Sequence, residues 1–274
     1  MTDAISLEPI ERSSDPTPSL GFDFEEHGHI RYFEEDYWRL SDWSCSATGM
    51  ITTELSFLEK VINERQVSSV YDAGCGRGRH LIPMLNAGID ARGLDISASN
   101  VAAAKNALQH HGHDTSRATL GDVAAHRLAK PVDLVLSMLS SFGYADDDGN
   151  SRSLLAMRAN LRHGGLLVLD LPNREQMVAN FLARTWAEVG GYHYLMHYDF
   201  DFETGYRDSW LRVISPDLTI RSYFHRVRIY TTAELKRMLA NAGFRLLDVL
   251  GDFTRSVTNF DLESRRLQYV AAAV

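Results

Sequence analysis

Apolar positions change their spacing several times along the chain, and each change predicts an element. Leu55, Leu58 and Ile62 recur three and four apart, which predicts one apolar helix face after an aromatic stretch holding Tyr32, Phe33, Tyr37, Trp38 and Trp43. From residue 67 strands and helices alternate. Strands are predicted at 67–73, 89–94, 118–120, 132–137 and 166–171, with helices at 79–87, from a Ser97 cap to Gly112, and at 152–161. The strand at 132–137 is nearly all apolar and the one at 166–171 largely so, as expected of strands buried on both faces. This alternation predicts a parallel sheet covered by helices. After Pro172 the rhythm breaks into extended segments at 184–189, 192–202, 206–214 and 220–230, rich in Tyr, Phe, Val and Ile. Glu203-Thr204-Gly205 and Ser215-Pro216-Asp217 are turn signals between them, so an antiparallel sheet is predicted as an insertion. Thr231 with Glu234 reads as a capping box opening a helix, and 244–250 and 267–272 as two final strands.

The chain therefore divides into a polar, mobile tail (1–30), a helical lid segment (31–66), a ligand-binding core (67–172), a β insertion over the acceptor site (173–230) and a C-terminal part of the core (231–274). The 274 residues suit one large α/β domain with an insertion. Two cysteines, Cys45 and Cys75, make no disulfide framework, and the first twenty residues lack a basic start followed by an apolar core, so a cytoplasmic protein is expected. No apolar run approaches the roughly 20 residues that span a bilayer, so no membrane partner is expected. The net charge of -8 would repel phosphate backbones, which argues against nucleic acid as a partner.

Chemistry concentrates in Asp72-Ala73-Gly74-Cys75-Gly76-Arg77-Gly78, a glycine turn between a strand and a helix. No Gly-Lys-Ser/Thr follows, so it is not a P-loop, and an acid precedes it, which would repel a pyrophosphate. Asp95 ends the next strand, where an acid holds ribose hydroxyls in nucleoside-binding folds. The turn resembles motif I, (D/E)xGxGxG, of the class I S-adenosylmethionine-dependent methyltransferases, matching at Asp72, Gly74, Gly76 and Gly78. Gly121-Asp122-Val123, the strand 133–137 and the Gly164-Gly165 turn follow in that family's order. The resemblance implies a seven-stranded, mostly parallel Rossmann-like α/β sheet whose last strand is antiparallel, here with the antiparallel β-sheet inserted. It implies S-adenosylmethionine as the cofactor, S-adenosylhomocysteine as its product, and no metal. Donor contacts are then expected from Asp72, Gly74, Gly76, Asp95 and Ile96, from Asp122 near the adenine, and from Val123, Ser137 and the lid's Tyr37.

The fourth strand runs into Ser137-Met138-Leu139-Ser140-Ser141-Phe142-Gly143-Tyr144, beside the expected methyl group. This loop, with Gly251-Asp252-Phe253, is similar to a bacterial small-molecule subgroup of secondary metabolism whose members often methylate amines. It departs from the Asn/Asp-Pro-Pro-Tyr/Phe pattern of enzymes that methylate exocyclic base or amide nitrogens. A small-molecule acceptor is expected, an amine nitrogen ahead of a carbon or oxygen of an indole or phenol, with a non-catalytic donor-binding protein last. Candidate acceptor contacts are Tyr32, Trp38, Phe142, Trp186 and His225, and candidate catalytic groups are Tyr144, His193 and His197, the two histidines sharing one strand face. His110, His111 and His113 sit at a polar helix end with no cysteine partner, so no metal site is expected. The insertion leaves room for a homodimer.

Overall fold

The structure, a computed structural model, describes residues 31–33, 35–257 and 261–274, so the tail expected at 1–30 lies outside the described residues. Two helices come first, α1 (Glu35–Thr48) and α2 (Met50–Arg65). The buried face of α2 is Glu54, Phe57, Leu58 and Val61. It shares Leu58 with the predicted face, and Ile62 packs half-buried against the same core, while Glu54 turns inward to a charged partner.

The alternating region follows as β1 (Ser69–Ala73), α3 (Leu81–Asn86), β2 (Asp90–Asp95), α4 (Ala98–His110), β3 (Ala118–Leu120), β4 (Val132–Ser137), α5 (Asp147–Ala159) and β5 (Leu161–Pro172). Two boundaries move for physical reasons. The Asp146 side chain accepts from Gly149 N at 2.7 Å and caps α5 five residues before the predicted start. Gly164 and Gly165 lie within β5, and a register shift between Val132 and Leu134 of β4 absorbs them. Beyond β5 lie a short helix α6 (Arg174–Ala179), the strands β6 (Arg184–Val189), β7 (Tyr192–Phe200), β8 (Tyr206–Ile214) and β9 (Ile220–Arg228), then α7 (Thr232–Asn241), β10 (Phe244–Gly251), β11 (Arg255–Ser256) and β12 (Arg266–Ala273). The capping box is present at the start of α7: Thr231 and Glu234 satisfy each other's backbone donors.

The main sheet has the order β11-β10-β12-β5-β4-β1-β2-β3. Strands β1 to β5 are parallel, and β12 lies antiparallel between β5 and β10. All seven expected strands are present, and the two-residue β11 adds an eighth at one edge. Leu134, Val135, Leu136, Leu167, Val168 and Leu169 are fully buried, which is why β4 and β5 carry apolar runs where an edge strand would alternate. Strand order reverses between β1 and β4, and the crevice this leaves at the carboxyl ends of the strands is the ligand position of open α/β sheets. The insertion forms a separate antiparallel sheet, β6-β7-β8-β9. Among the described residues no helix is long and apolar enough to cross a membrane.

One charge pair, a fully buried carboxylate with a half-buried guanidinium, ties the far side of the crevice together. Asp170, fully buried on β5, accepts from Arg266 Nε at 2.9 Å and Gln268 Nε2 at 2.8 Å on β12. It also accepts from Leu139 N at 2.9 Å, while its backbone oxygen accepts from Ser140 N at 3.0 Å. Leu139 and Ser140 both sit at positive φ, 49° and 62°, a conformation that costs a non-glycine residue about 1–3 kcal/mol and persists only where neighbours hold it. Asp170→Ala removes the hold and leaves the guanidinium without its charge partner. We expect a loss of about 3–5 kcal/mol in urea denaturation. A loss under about 1 kcal/mol would show that the pair does not hold the loop.

Candidate active site

The glycine turn is locked to the end of β2. Gly74 N and Cys75 N both donate to Leu94 O, at 2.8 and 2.9 Å, and Gly76 N donates to Asp95 Oδ2 at 2.8 Å. The other oxygen of Asp95 accepts from Ser97 N at 2.9 Å and lies 3.4 Å from Asn100 Nδ2. Burial raises the pKa of Asp95, against the pull of the backbone donors, and the neighbouring charge of Asp72 raises it further. Each carboxylate oxygen has two lone pairs, so Asp95 keeps acceptor capacity beyond the backbone bonds. The turn needs its glycines: Gly74 has φ 101° and an added Cβ would lie 2.5 Å from Ser141 Cβ, and Gly76 has φ 54° with Trp38 Cζ2 at 2.9 Å.

Beneath the turn lies a buried charge cluster. His80 Nε2 sits 2.7 Å from Glu54 Oε1 of α2, and His80 Nδ1 lies 3.4 Å from Asp72 Oδ2 of β1. Arg79 closes the cluster at 2.8 Å from Glu54. Burial alone would favour the neutral ring, but the contacts with Asp72 and Glu54 outweigh it and hold the His80 pKa up at about 9. His80 and Arg79 in turn lower the Glu54 pKa against its own burial.

Above the turn a cavity of about 570 Å³ runs along the crevice, within the usual range for small-ligand pockets. One end is lined by Gly74, Gly76, Asp95, Ile96, Asn100, Asp122 and Val123 with Trp38 against them, and the other by Phe33, Tyr37, Ser140, Phe142 and Tyr144. Helix α1 and the residues before it cover the cavity. Trp38 Nε1 donates to Asn100 Oδ1 at 2.8 Å, and Asp36 accepts from Arg221 Nε at 2.6 Å and from Tyr223 Oη at 2.7 Å on β9. Aromatic contacts complete the cover: Phe33 meets Tyr37 at 4.7 Å and Tyr144 at 5.4 Å, and Tyr32 lies on His225 at 4.0 Å, ring centre to ring centre.

Most of the sequence-derived donor residues line this cavity, but not all site residues do. Asp72 and Ser137 are fully buried below it, and Asp72 acts through His80. Tyr32 and His225 form a layer behind Phe33 and Tyr144. His193, His197 and Trp186 do not reach it. His193 is exposed near Glu188, His197 stacks on Trp210 at 5.0 Å, and Trp186 is 72% exposed. The inward face of β7 is the opposite one, where Tyr194 is buried and packs with Tyr32, Leu211 and Val213. Sequence reasoning missed Asn100, one turn into the helix after Asp95, and His80, two residues past the last glycine. It also missed the hold of Asp170 and Arg266 on the loop after β4, a long-range contact with no local signal.

Residues 70–165 match a family model described as a methyltransferase domain. The chain is 25% identical over 232 residues to a glycine/sarcosine/dimethylglycine N-methyltransferase of Actinopolyspora halophila, covering 83% of this chain and 39% of that relative. It is 24% identical over 239 residues to a glycine/sarcosine N-methyltransferase of Aphanothece halophytica, covering 84% of this chain and 85% of that one. Among solved structures, an S-adenosylmethionine-dependent methyltransferase from Clostridium acetobutylicum shares the fold with a TM-score of 0.75 at 16% identity, covering 87% of this chain and 99% of that one.

The charge cluster has a pH signature. The pKa of His80 is raised from its ordinary value of about 6.5, so the cluster's stabilisation is complete below about pH 6.5 and is lost as pH rises through about 9. The stability gap between the wild type and His80→Gln should therefore narrow steadily from pH 6 to about 9.5, read as urea midpoints. A gap that stays constant over that range would show that the ring is neutral in the fold.

Proposed function

We propose that this chain, whose residues 70–165 match a methyltransferase domain, transfers a methyl group from S-adenosylmethionine to a small molecule, with an amine nitrogen as the acceptor. The observation that carries the reading is the single cavity with two chemically different ends. At one end the carboxylates of Asp95 and Asp122 offer acceptors for ribose hydroxyls and the adenine amino group, and the glycine turn leaves room for close backbone approach. S-adenosylmethionine supplies an electrophilic methyl group on a sulfonium sulfur. At the other end the rings of Phe33, Tyr37 and Tyr144 exclude water and present faces that favour a cation. Helix α1 closes over both ends, so a small acceptor fits and a large one does not.

Nitrogen is favoured by what the cavity offers for proton removal. Its histidine, His80, is held protonated by Asp72 and Glu54 and takes no further proton near neutral pH. Burial raises the Tyr144 pKa, which disfavours a phenolate base there. A neutral amine attacks without a base, whereas a phenol or indole carbon needs one. The names of the two N-methyltransferase relatives agree with nitrogen. A homodimer would use the outer face of the insertion, where Trp186, Leu195 and Ile220 are exposed.

Donor affinity tests the first half of the reading. Asp95→Ala should weaken S-adenosylmethionine binding about 10- to 150-fold by calorimetry, the worth of one to several charged hydrogen bonds. Unchanged affinity would refute the donor site. The acceptor half is tested by rate. His193→Ala and His197→Ala should keep kcat within about twofold, and kcat/KM should rise with pH along the acceptor amine's own titration. A large loss in either histidine variant would restore it as a base.

A further inference from the structure

At the acceptor end of the cavity, Phe33, Tyr37, Ser140, Phe142 and Tyr144 present aromatic rings and one aliphatic hydroxyl, and none of these side chains is a cation or a carboxylate. The rings are set edge to face. Phe33 meets Tyr37 at 4.7 Å and 86°, and Tyr144 at 5.4 Å and 88°. Phe142 is buried against Tyr230, while Phe33, Tyr37 and Tyr144 are half-buried. The aliphatic hydroxyl is the polar handle among them. Ser140 Oγ accepts from Arg266 Nη2 at 3.0 Å, which uses one of its two lone pairs and leaves the other for a ligand. Cations around the cavity are placed elsewhere. Arg79 and His80 are held by Glu54 and Asp72 beneath the glycine turn, and Arg266 is held by Asp170. Arg152 is exposed on α5 and folds back over Gly149, its Nη2 3.4 Å from the place a Cβ would take there. Arg207 of β8 does not line the cavity, and its Nη1 lies 3.9 Å from the Met177 sulfur.

A carboxylate brought against these rings would lose its water and gain no cation in return. An apolar ring brought there gains the hydrophobic effect and continues the edge-to-face set. We infer that the acceptor is an arylalkylamine: a primary or secondary amine on a short chain that carries an aromatic ring, with no carboxylate. This rests on the N-methylation reading above, and it sets the acceptor apart from the glycine and sarcosine in the names of the two relatives. The acceptor's ring lies among Phe33, Tyr37 and Tyr144, which makes these three the specificity residues. An amine N–H donates to the open lone pair of Ser140 Oγ, which turns the nitrogen's own lone pair away from the loop. That lone pair takes the methyl group as its bond to sulfur breaks, and the resulting ammonium releases a proton to water.

Acceptors that differ by one group test the assignment. Phenethylamine and phenylalanine share ring and amine and differ by a carboxylate, and glycine keeps the carboxylate without the ring. Counted per neutral amine, the wild type should give phenethylamine a kcat/KM at least about tenfold above that of either amino acid. Phe33→Leu, which keeps bulk and removes the ring, should raise the KM for phenethylamine about 2- to 10-fold while calorimetry shows S-adenosylhomocysteine affinity unchanged. Glycine or phenylalanine methylated as well as phenethylamine would overturn the assignment and leave N-methylation standing, as would an amino sugar preferred to it. A second measurement needs no turnover. With S-adenosylhomocysteine bound, calorimetry should detect phenethylamine and the neutral phenethyl alcohol, with phenylalanine weaker by about tenfold or more. Phenylalanine bound as tightly as the other two would overturn the subsite. Binding of both carboxylate-free ligands with no methylation of any amine would keep the aromatic subsite and refute the nitrogen acceptor.

Discussion

An imidazolium held between two buried carboxylates joins three parts of the chain that are far apart in sequence. His80 belongs to the turn entering α3, Asp72 to β1 and Glu54 to α2. Each carboxylate alone would be costly to bury, and each is tolerable because the ring between them is charged. The consequence is geometric. The glycine turn cannot shift without moving α2, and α2 cannot leave the sheet without exposing the turn. Asp95 then fixes the upper rim of the same turn through Gly76 and Ser97. The glycine-turn end of the cavity is therefore shaped from below by charge and from above by backbone hydrogen bonds.

The opposite wall is built by a second charge contact, between β5 and β12. Asp170, fully buried in the sheet, and the half-buried Arg266 hold the strained pair Leu139–Ser140, so the loop after β4 takes its shape largely from β5 and β12. Both walls use a charge pair to place backbone, which leaves the cavity lining itself free for ligand chemistry. The insertion stands behind that wall, its His225 ring 6.1 Å from that of Tyr144.

What could be read from sequence follows the range of the interactions. The sheet was legible because strands buried on both faces carry apolar runs, 134–136 in β4 and 166–169 in β5, and its helices were marked by caps such as Ser97 and Thr231. Asp72, Gly74, Gly76 and Asp95 were legible because a turn and the next strand end supply them within about twenty-five residues. The acceptor end was not. A period of two shows that His193 and His197 share a face, but not which face turns inward. That choice is made by Tyr194 and Leu211 packing under Tyr32, from a segment more than 150 residues away. Asp170 gave no signal for the same reason: an acid at a strand end looks solvated until β12 is laid beside it.

The hold on α1 has a mechanical consequence. Asp36 grips Arg221 and Tyr223 on the insertion, and Trp38, two residues on, grips Asn100 beside Asp95. The two grips share one turn of one helix, which is too short to flex between them. The helix cannot lift from the acceptor end and stay seated at the donor end. Lifting this helix at either end of the cavity would therefore break both sets of contacts.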